Sequence, residues 1–212
     1  MGVDLRKTSH ILFFAAFLPL ISFGVGWVFA QIPNVPFWVE TISPLAAYGL
    51  LFALFDNYLW HWPLFRWLGI VSQPDVRGRW LGEQTSSFKD ENGKARTSRV
   101  ILEVEQRFSG MSAMTYYKNW QSNQMMTSIV DVAGQPTIFM MYESEPKAVY
   151  EGDAGAHKGV IRLTQRPNTT LTGTYFNGAG RHGELEFYRT RYTLHRTFEQ
   201  VRTAKKALSR PA

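Results

Sequence analysis

The chain has 212 residues, no cysteine and a formal net charge of +6. The lack of cysteine excludes disulfides and thiolate metal sites and fits a reducing compartment. The positive balance favours anionic partners, whether lipid headgroups, nucleotides or nucleic acid, without separating them.

After a short polar lead (residues 1–10), Ile11 to Ile32 is an apolar run with no charge. Its length of about 22 residues matches the ~20 that a helix needs to cross a bilayer core. A second run, Thr41 to Phe65, carries only Asp56 and His61 as ionisable groups. Two such runs joined by a short turn predict a transmembrane helical hairpin over residues 1–67. Arg6, Lys7, Arg66, Arg77 and Arg79 flank the hairpin, whereas Gln31 to Glu40 has no Lys or Arg. The positive-inside bias then places both termini in the cytoplasm. Trp27, Phe37 and Trp38 near the turn, and Tyr58, Trp60, Trp62 and Trp67 near the other end, suit the two interfaces. The competing reading of the first run is a signal peptide cleaved after Val28-Phe29-Ala30. Gly24, Gly26 and Gly49-x-x-x-Ala53 permit close helix approach, within one hairpin or between hairpins. Asp56 is costly against lipid, so it belongs at the end of the span or in a pairing between helices.

Residues 68–76 form a linker containing Pro74, and beyond it the period changes to two. Strands are expected at Gly78–Ser86, Arg99–Phe108, Met111–Tyr117, Gln124–Val132, Thr137–Tyr142, Gly159–Gln165, Leu171–Phe176 and Gly183–Arg189. The second alternates most clearly, with Val100, Leu102, Val104, Gln106 and Phe108 on one face. Turns fall at Asp90–Lys94, Ser109-Gly110, Gly134-Gln135-Pro136, Pro167-Asn168 and Asn177–Gly180. Eight short strands over residues 75–190 with hairpin-length connections predict an up-and-down barrel or a compact sandwich. A barrel of that size can hold side chains or one small ligand. The tail, 191–212, is basic and reads equally as an amphipathic helix on anionic lipid or as a solvated segment.

No catalytic constellation emerges. The sequence has no G-x-S-x-G, no H-E-x-x-H and no phosphate-cradling glycine loop. The five histidines lack metal-ligand spacing, and Glu184 with Glu186 reads as a solvated strand face. The remaining groups are suited to binding. Tyr142, His157, Thr174, Tyr175 and Arg181 recur in the second half of the β domain, with Trp80 on its first strand. Aromatic faces stack on bases, and a guanidinium fork grips phosphate oxygens, so a cup lined this way suits an anionic, ring-bearing ligand. Trp80 is equally suited to plugging a barrel floor.

At these residues the chain resembles a known family. Two N-terminal spans are followed by Gly78-x-Trp80, Tyr142…Pro146, His157-x-Gly159, Leu171-x-Gly173-x-Tyr175-Phe176 and Gly183. That order is similar to the membrane effectors of CBASS anti-phage systems, which join two transmembrane helices to a lipocalin-like β-barrel. In place of a Gln-x-Trp on the second strand stands Gln106-Arg107-Phe108. The resemblance covers roughly residues 10–190. It implies a membrane-anchored all-β protein of the bacterial inner membrane and a non-enzymatic role without cofactor or metal. It also implies a cyclic dinucleotide ligand supplied by a partner nucleotidyltransferase. Ligand binding would control homo-oligomerisation of the spans, membrane disruption and death of the infected cell. Tyr142, His157, Tyr175 and Arg181 are the expected ligand contacts, with Thr174 and Trp80 secondary. The alternative is a membrane-tethered binding or scaffold protein for a lipid or protein partner.

Overall fold

The computed structural model of the chain describes residues 3–32, 36–89, 92–146, 156–166 and 170–191. The basic tail and the expected turn at Pro167-Asn168 lie outside the described residues. The chain divides into two compact units. One comprises Asp4–Asp75 together with Arg107–Gly110; the other is essentially Val76–Gln106 and the chain from Met111 onward.

The first unit is helical. Helix α1 spans Leu5–Phe29 and α2 spans Phe37–Leu54, running into a π-helical turn at Phe55–Leu59; a short α3 covers Pro63–Trp67. Among the described residues one helix, Ile11–Phe29, is long and apolar enough to cross a membrane, with mean hydropathy 2.2. Leu45–Leu59 is a shorter apolar helix. Phe13 on α1 sits in an aromatic cluster, its ring 4.3 Å from that of Phe55, 5.5 Å from Phe52 and 5.8 Å from Phe108. Farther along α1, Phe23 and Trp27 are exposed.

Phe108 departs from the sequence-based expectation, whereas Asp56 lies near the end of the apolar helix Leu45–Leu59. The strand expected to carry Phe108 ends at Gln106, and Phe108 packs against Phe13 and Phe55 instead. Asp56 is buried within the π-turn. Its carbonyl accepts the Phe108 N–H (3.1 Å) and its carboxylate accepts the Ser109 N–H (2.6 Å). A carboxylate inside an apolar cluster is costly unless hydrogen-bonded, and the Ser109 N–H supplies one such bond.

The second unit is a closed antiparallel barrel. Its strands are β1 (Gly78–Lys89), β2 (Ala95–Gln106), β3 (Met111–Tyr116), β4 (Trp120–Val132), β5 (Gln135–Pro146), β6 (His157–Arg166), β7 (Thr170–Asn177) and β8 (His182–Arg191). Every strand pairs with its neighbours in sequence, and β1 pairs with β8 to close the ring. The eight predicted strands are all present, and of the two expected architectures the up-and-down barrel is the one formed. The tight turn between β4 and β5 sits at Ala133-Gly134, both at positive φ as a two-residue hairpin requires. Pro136 therefore lies within β5 rather than in the turn.

Period-two alternation sorts the wall residues. One end of the interior is apolar, filled by Trp80, Val104, Ile129, Ile138, Leu163, Leu171 and Phe187, all at most 2% exposed. The chain enters the barrel at this end, and Val76 seals it. Its N–H donates to Gln106 Oε1 (2.9 Å), and its carbonyl accepts the indole N–H of Trp80 (3.0 Å). The Arg189 guanidinium lies 4.5 Å above the Trp80 ring, a cation–π contact. Arg79 and Glu103 form an ion pair at 3.3 Å with both side chains buried. Its value depends on both partners being present, because either one alone would be an uncompensated buried charge.

Candidate functional site: the tyrosine-lined mouth of the barrel

The opposite end of the interior is polar. The inward parity that places Leu102 and Met140 in the core continues to Thr115, Ser122, Gln124, Tyr142, Ser144, His157, Tyr175 and Asn177. Tyr117 lies where β3 leaves the wall, its hydroxyl donating to Gln84 Oε1 at 2.5 Å. Ser122 and Ser144 are joined by their hydroxyls (3.0 Å). His157 lies against Trp120, ring centroids 5.6 Å apart. Gln124 donates to the Met111 carbonyl at 3.1 Å.

Glycines position the tyrosines. Tyr142 stands directly across from Gly159, and Tyr175 from Gly183. A Cβ at Gly159 would strike the Tyr142 phenol, and one at Gly183 would crowd the Tyr175 ring. Each ring therefore lies over a strand position with no side chain. Phe187 over Gly82 repeats the device toward the apolar end. Cross-strand contacts of this kind fix ring direction, and a glycine in a strand often marks such a close approach.

The phenols are hydrogen-bonding groups. Burial, then the proximity of Tyr175, pushes Tyr142 up to about 12, partly opposed by a hydrogen bond with Asn177. Burial, then Tyr142 and Tyr175, raises Tyr117 well above the ordinary tyrosine value. Three phenols, amide and hydroxyl groups and a histidine offer both donors and acceptors with flat aromatic faces. That set suits a nucleobase better than a metal. Among the described residues no group of three His, Asp or Glu side chains could hold a metal ion.

A cavity lined by Leu102, Ala113, Thr115, Ser122, Gln124, Met140, Tyr142 and Ile161 offers about 10 Å³ to the centre of a water-sized sphere. That is about one water's worth, against the ~300–1,000 Å³ of a typical ligand pocket. A nucleotide-sized molecule does not fit that cavity as it stands.

The residues singled out from sequence fall in three places. Tyr142, Tyr175 and His157 converge inside the polar end. Arg181 is on the rim, in the β7–β8 turn, where Asn177 Oδ1 accepts its N–H at 3.0 Å and its guanidinium lies 5.1 Å above the Phe88 ring. Trp80 and Thr174 are not brought there. Trp80 is fully buried at the far, apolar end, and Thr174, one step out of parity with Tyr175, is exposed on the outer wall. Sequence reasoning missed Tyr117, Gln84, Ser122 and Trp120. Their alternation with apolar neighbours was the available signal, but it does not tell the two ends of a barrel apart.

Fold and site together define a small meander barrel with one plugged end and one aromatic, polar end, preceded in the chain by an apolar helix. Residues 71–189 match the family model described as Cap15, cyclic dinucleotide receptor domain, and the chain belongs to that family. It is also similar to the CD-NTase-associated protein 15 of Staphylococcus schleiferi, 25% identical over 161 residues. That match covers 76% of this chain and 79% of the relative. The membership agrees with the resemblance to CBASS effectors drawn from the motif order.

Proposed function

We propose that the chain is a cyclic-dinucleotide-gated effector of CBASS-type immunity. The observation that carries this is the polar mouth, where Tyr117, Tyr142 and Tyr175 lie together, within a family of cyclic dinucleotide receptors. Bases stack on the tyrosine faces at the mouth, and Arg181 at the rim grips a phosphate. In this reading the ligand lies across the mouth, over the tyrosine faces.

In this reading α1 and the apolar helix ending at Leu59 both cross the inner membrane, with both termini in the cytoplasm. A partner nucleotidyltransferase makes the ligand after infection. The ligand controls assembly of the membrane segments, because it binds one assembly state better than the other. Assembly breaches the membrane, and the cell dies before phage matures. No step is enzymatic and no cofactor is needed.

Calorimetry of the full chain in detergent against a panel of cyclic dinucleotides tests this. Saturable binding of at least one member is expected, weakened by Tyr142→Ala. No binding across the panel overturns the proposal.

A further inference from the structure

The outer wall carries a feature that ligand binding at the mouth does not use. Met126, Met141, Val160 and Phe176 are consecutive register partners across β4, β5, β6 and β7. They form one apolar row around the outside of the barrel. Met126 is 62% exposed, Met141 43% and Phe176 58%. The ladder shifts register between Gln124 and Met126, so a bulge adds Met125, itself 53% exposed, beside the row. Bulges re-aim side chains. Here the bulge turns two successive methionines toward solvent, where alternation alone would have turned one inward.

Contiguous exposed apolar surface on a small domain marks an interaction site. Methionine is enriched in the cores of protein interfaces, where its flexible thioether adapts to the opposing surface. The flanking residues indicate which partner fits. On one side of the row, Glu143 of β5 lies beside Lys158 of β6, at 4.0 Å. On the other side, Phe139 of β5 lies beside Arg162 of β6, whose guanidinium is 5.9 Å from the ring. Across the β5–β6 seam each residue therefore faces its complement: acid to base, apolar to apolar, ring to cation. A two-fold axis along the seam would set Glu143 of one copy on Lys158 of another, and Phe139 on Arg162. The same operation sets Met141 on Val160 and Met126 on Phe176.

We propose that this wall is an isologous interface, in which the β5–β6 seam of one barrel packs on the same seam of a second copy of the chain. A two-fold contact presents the same patch from both sides, and self-complementarity is what it demands. The methionines and Phe176 form the apolar centre, and the charged pairs fix the register.

The native chain has no cysteine, so single cysteines report cleanly. Packed sheets stand ~10 Å apart, beyond disulfide reach, so a short bis-maleimide is the appropriate linker. Full-length Met141→Cys is reconstituted in phosphatidylethanolamine–phosphatidylglycerol vesicles, with and without cyclic dinucleotides. It is expected to cross-link to a dimer, whereas Thr97→Cys on the opposite wall is not.

In the Met141→Cys background, Glu143→Lys alone and Lys158→Glu alone each set like charges together twice per dimer. Each is expected to lower the yield about fivefold or more. Mixing the two variants, one carrying an affinity tag, recreates both attractive contacts and restores the mixed dimer. Repair of a pair within one chain cannot produce that rescue. Absence of cross-linking at Met141 in every condition, or failure of the mixture to restore it, overturns the proposal. Protection of the cysteine from soluble maleimide without cross-linking assigns the row to lipid and equally overturns it.

Discussion

The two ends of the barrel are built from the same strands with the same alternation, yet their contents differ. At the entry end, Trp80, Leu171 and Phe187 are fully enclosed and the chain's own Val76 caps them. At the mouth, the inward positions are tyrosines, serines, a histidine and amides, with hydrogen bonds joining Tyr117 to Gln84 and Ser122 to Ser144. The contrast separates two kinds of contribution. Burial at the floor holds the barrel closed, whereas the mouth exchanges much of that stabilisation for groups a ligand can address. A change at one end should therefore be read as loss of fold, and at the other as loss of response.

Trp80→Ala is the severest way to break this division. Removing a fully buried tryptophan costs about 3–5 kcal/mol, and it also removes the indole from the Val76 carbonyl and from the Arg189 guanidinium. Chemical denaturation of the full chain in detergent should show that loss, and ligand binding should fail only as the folded fraction falls. If Trp80→Ala melts like the native protein yet binds no dinucleotide, the floor belongs to the site and the division is wrong.

A subtler probe uses pH. Tyr142 holds its proton up to about 12 in the folded barrel, whereas an unfolded tyrosine releases it near 10. Stability from this group is thus fully present below pH ~10 and is lost as pH rises toward 12, because the unfolded chain then binds fewer protons. Denaturation midpoints between pH 8 and 11.5 should fall above 10, and Tyr142→Phe should flatten that fall. An unchanged slope would remove Tyr142 from the buried phenol group.

Arg181→Ala is expected to have the smallest effect on the fold, within about 0.5 kcal/mol of the native melting behaviour, as at most exposed positions. It is also expected to abolish the dinucleotide response. Unchanged affinity in that variant would remove Arg181 from the ligand's contacts and leave the mouth to the tyrosines alone.

Much of this architecture was legible in the sequence because alternation is local. All eight strands can be read from it, whereas the placing of Tyr142 across from Gly159 and of Tyr175 across from Gly183 needs the register of the paired strands. Parity also had the information to exclude Thr174, since adjacent residues of a strand cannot share a side. What stayed hidden depends on distant partners. Trp80 and Tyr142 look alike as inward aromatics until closure shows that they occupy opposite ends. Arg79 reads only as one of the cations flanking the hairpin, and its burial against Glu103 depends on tertiary pairing. Phe108 continues the apolar face of its strand on paper, but the strand stops at Gln106 and the ring joins Phe13 and Phe55. Asp56 invited a lipid-interface reading because its actual partners, the N–H groups of Phe108 and Ser109, lie more than fifty residues away.

The seam between β1 and β8 has a consequence for biosynthesis. Seven of the eight strand pairings join neighbours in sequence and can form as the ribosome delivers each hairpin. The eighth joins the first strand to the last, so both outer edges stay open until residues 182–191 have emerged. Before that moment the nascent sheet exposes unpaired backbone, the kind of edge on which chains stick to one another. The final ten-residue strand thus acts as the latch of the whole domain, and a chain truncated before His182 should be recovered as aggregate rather than as a smaller receptor.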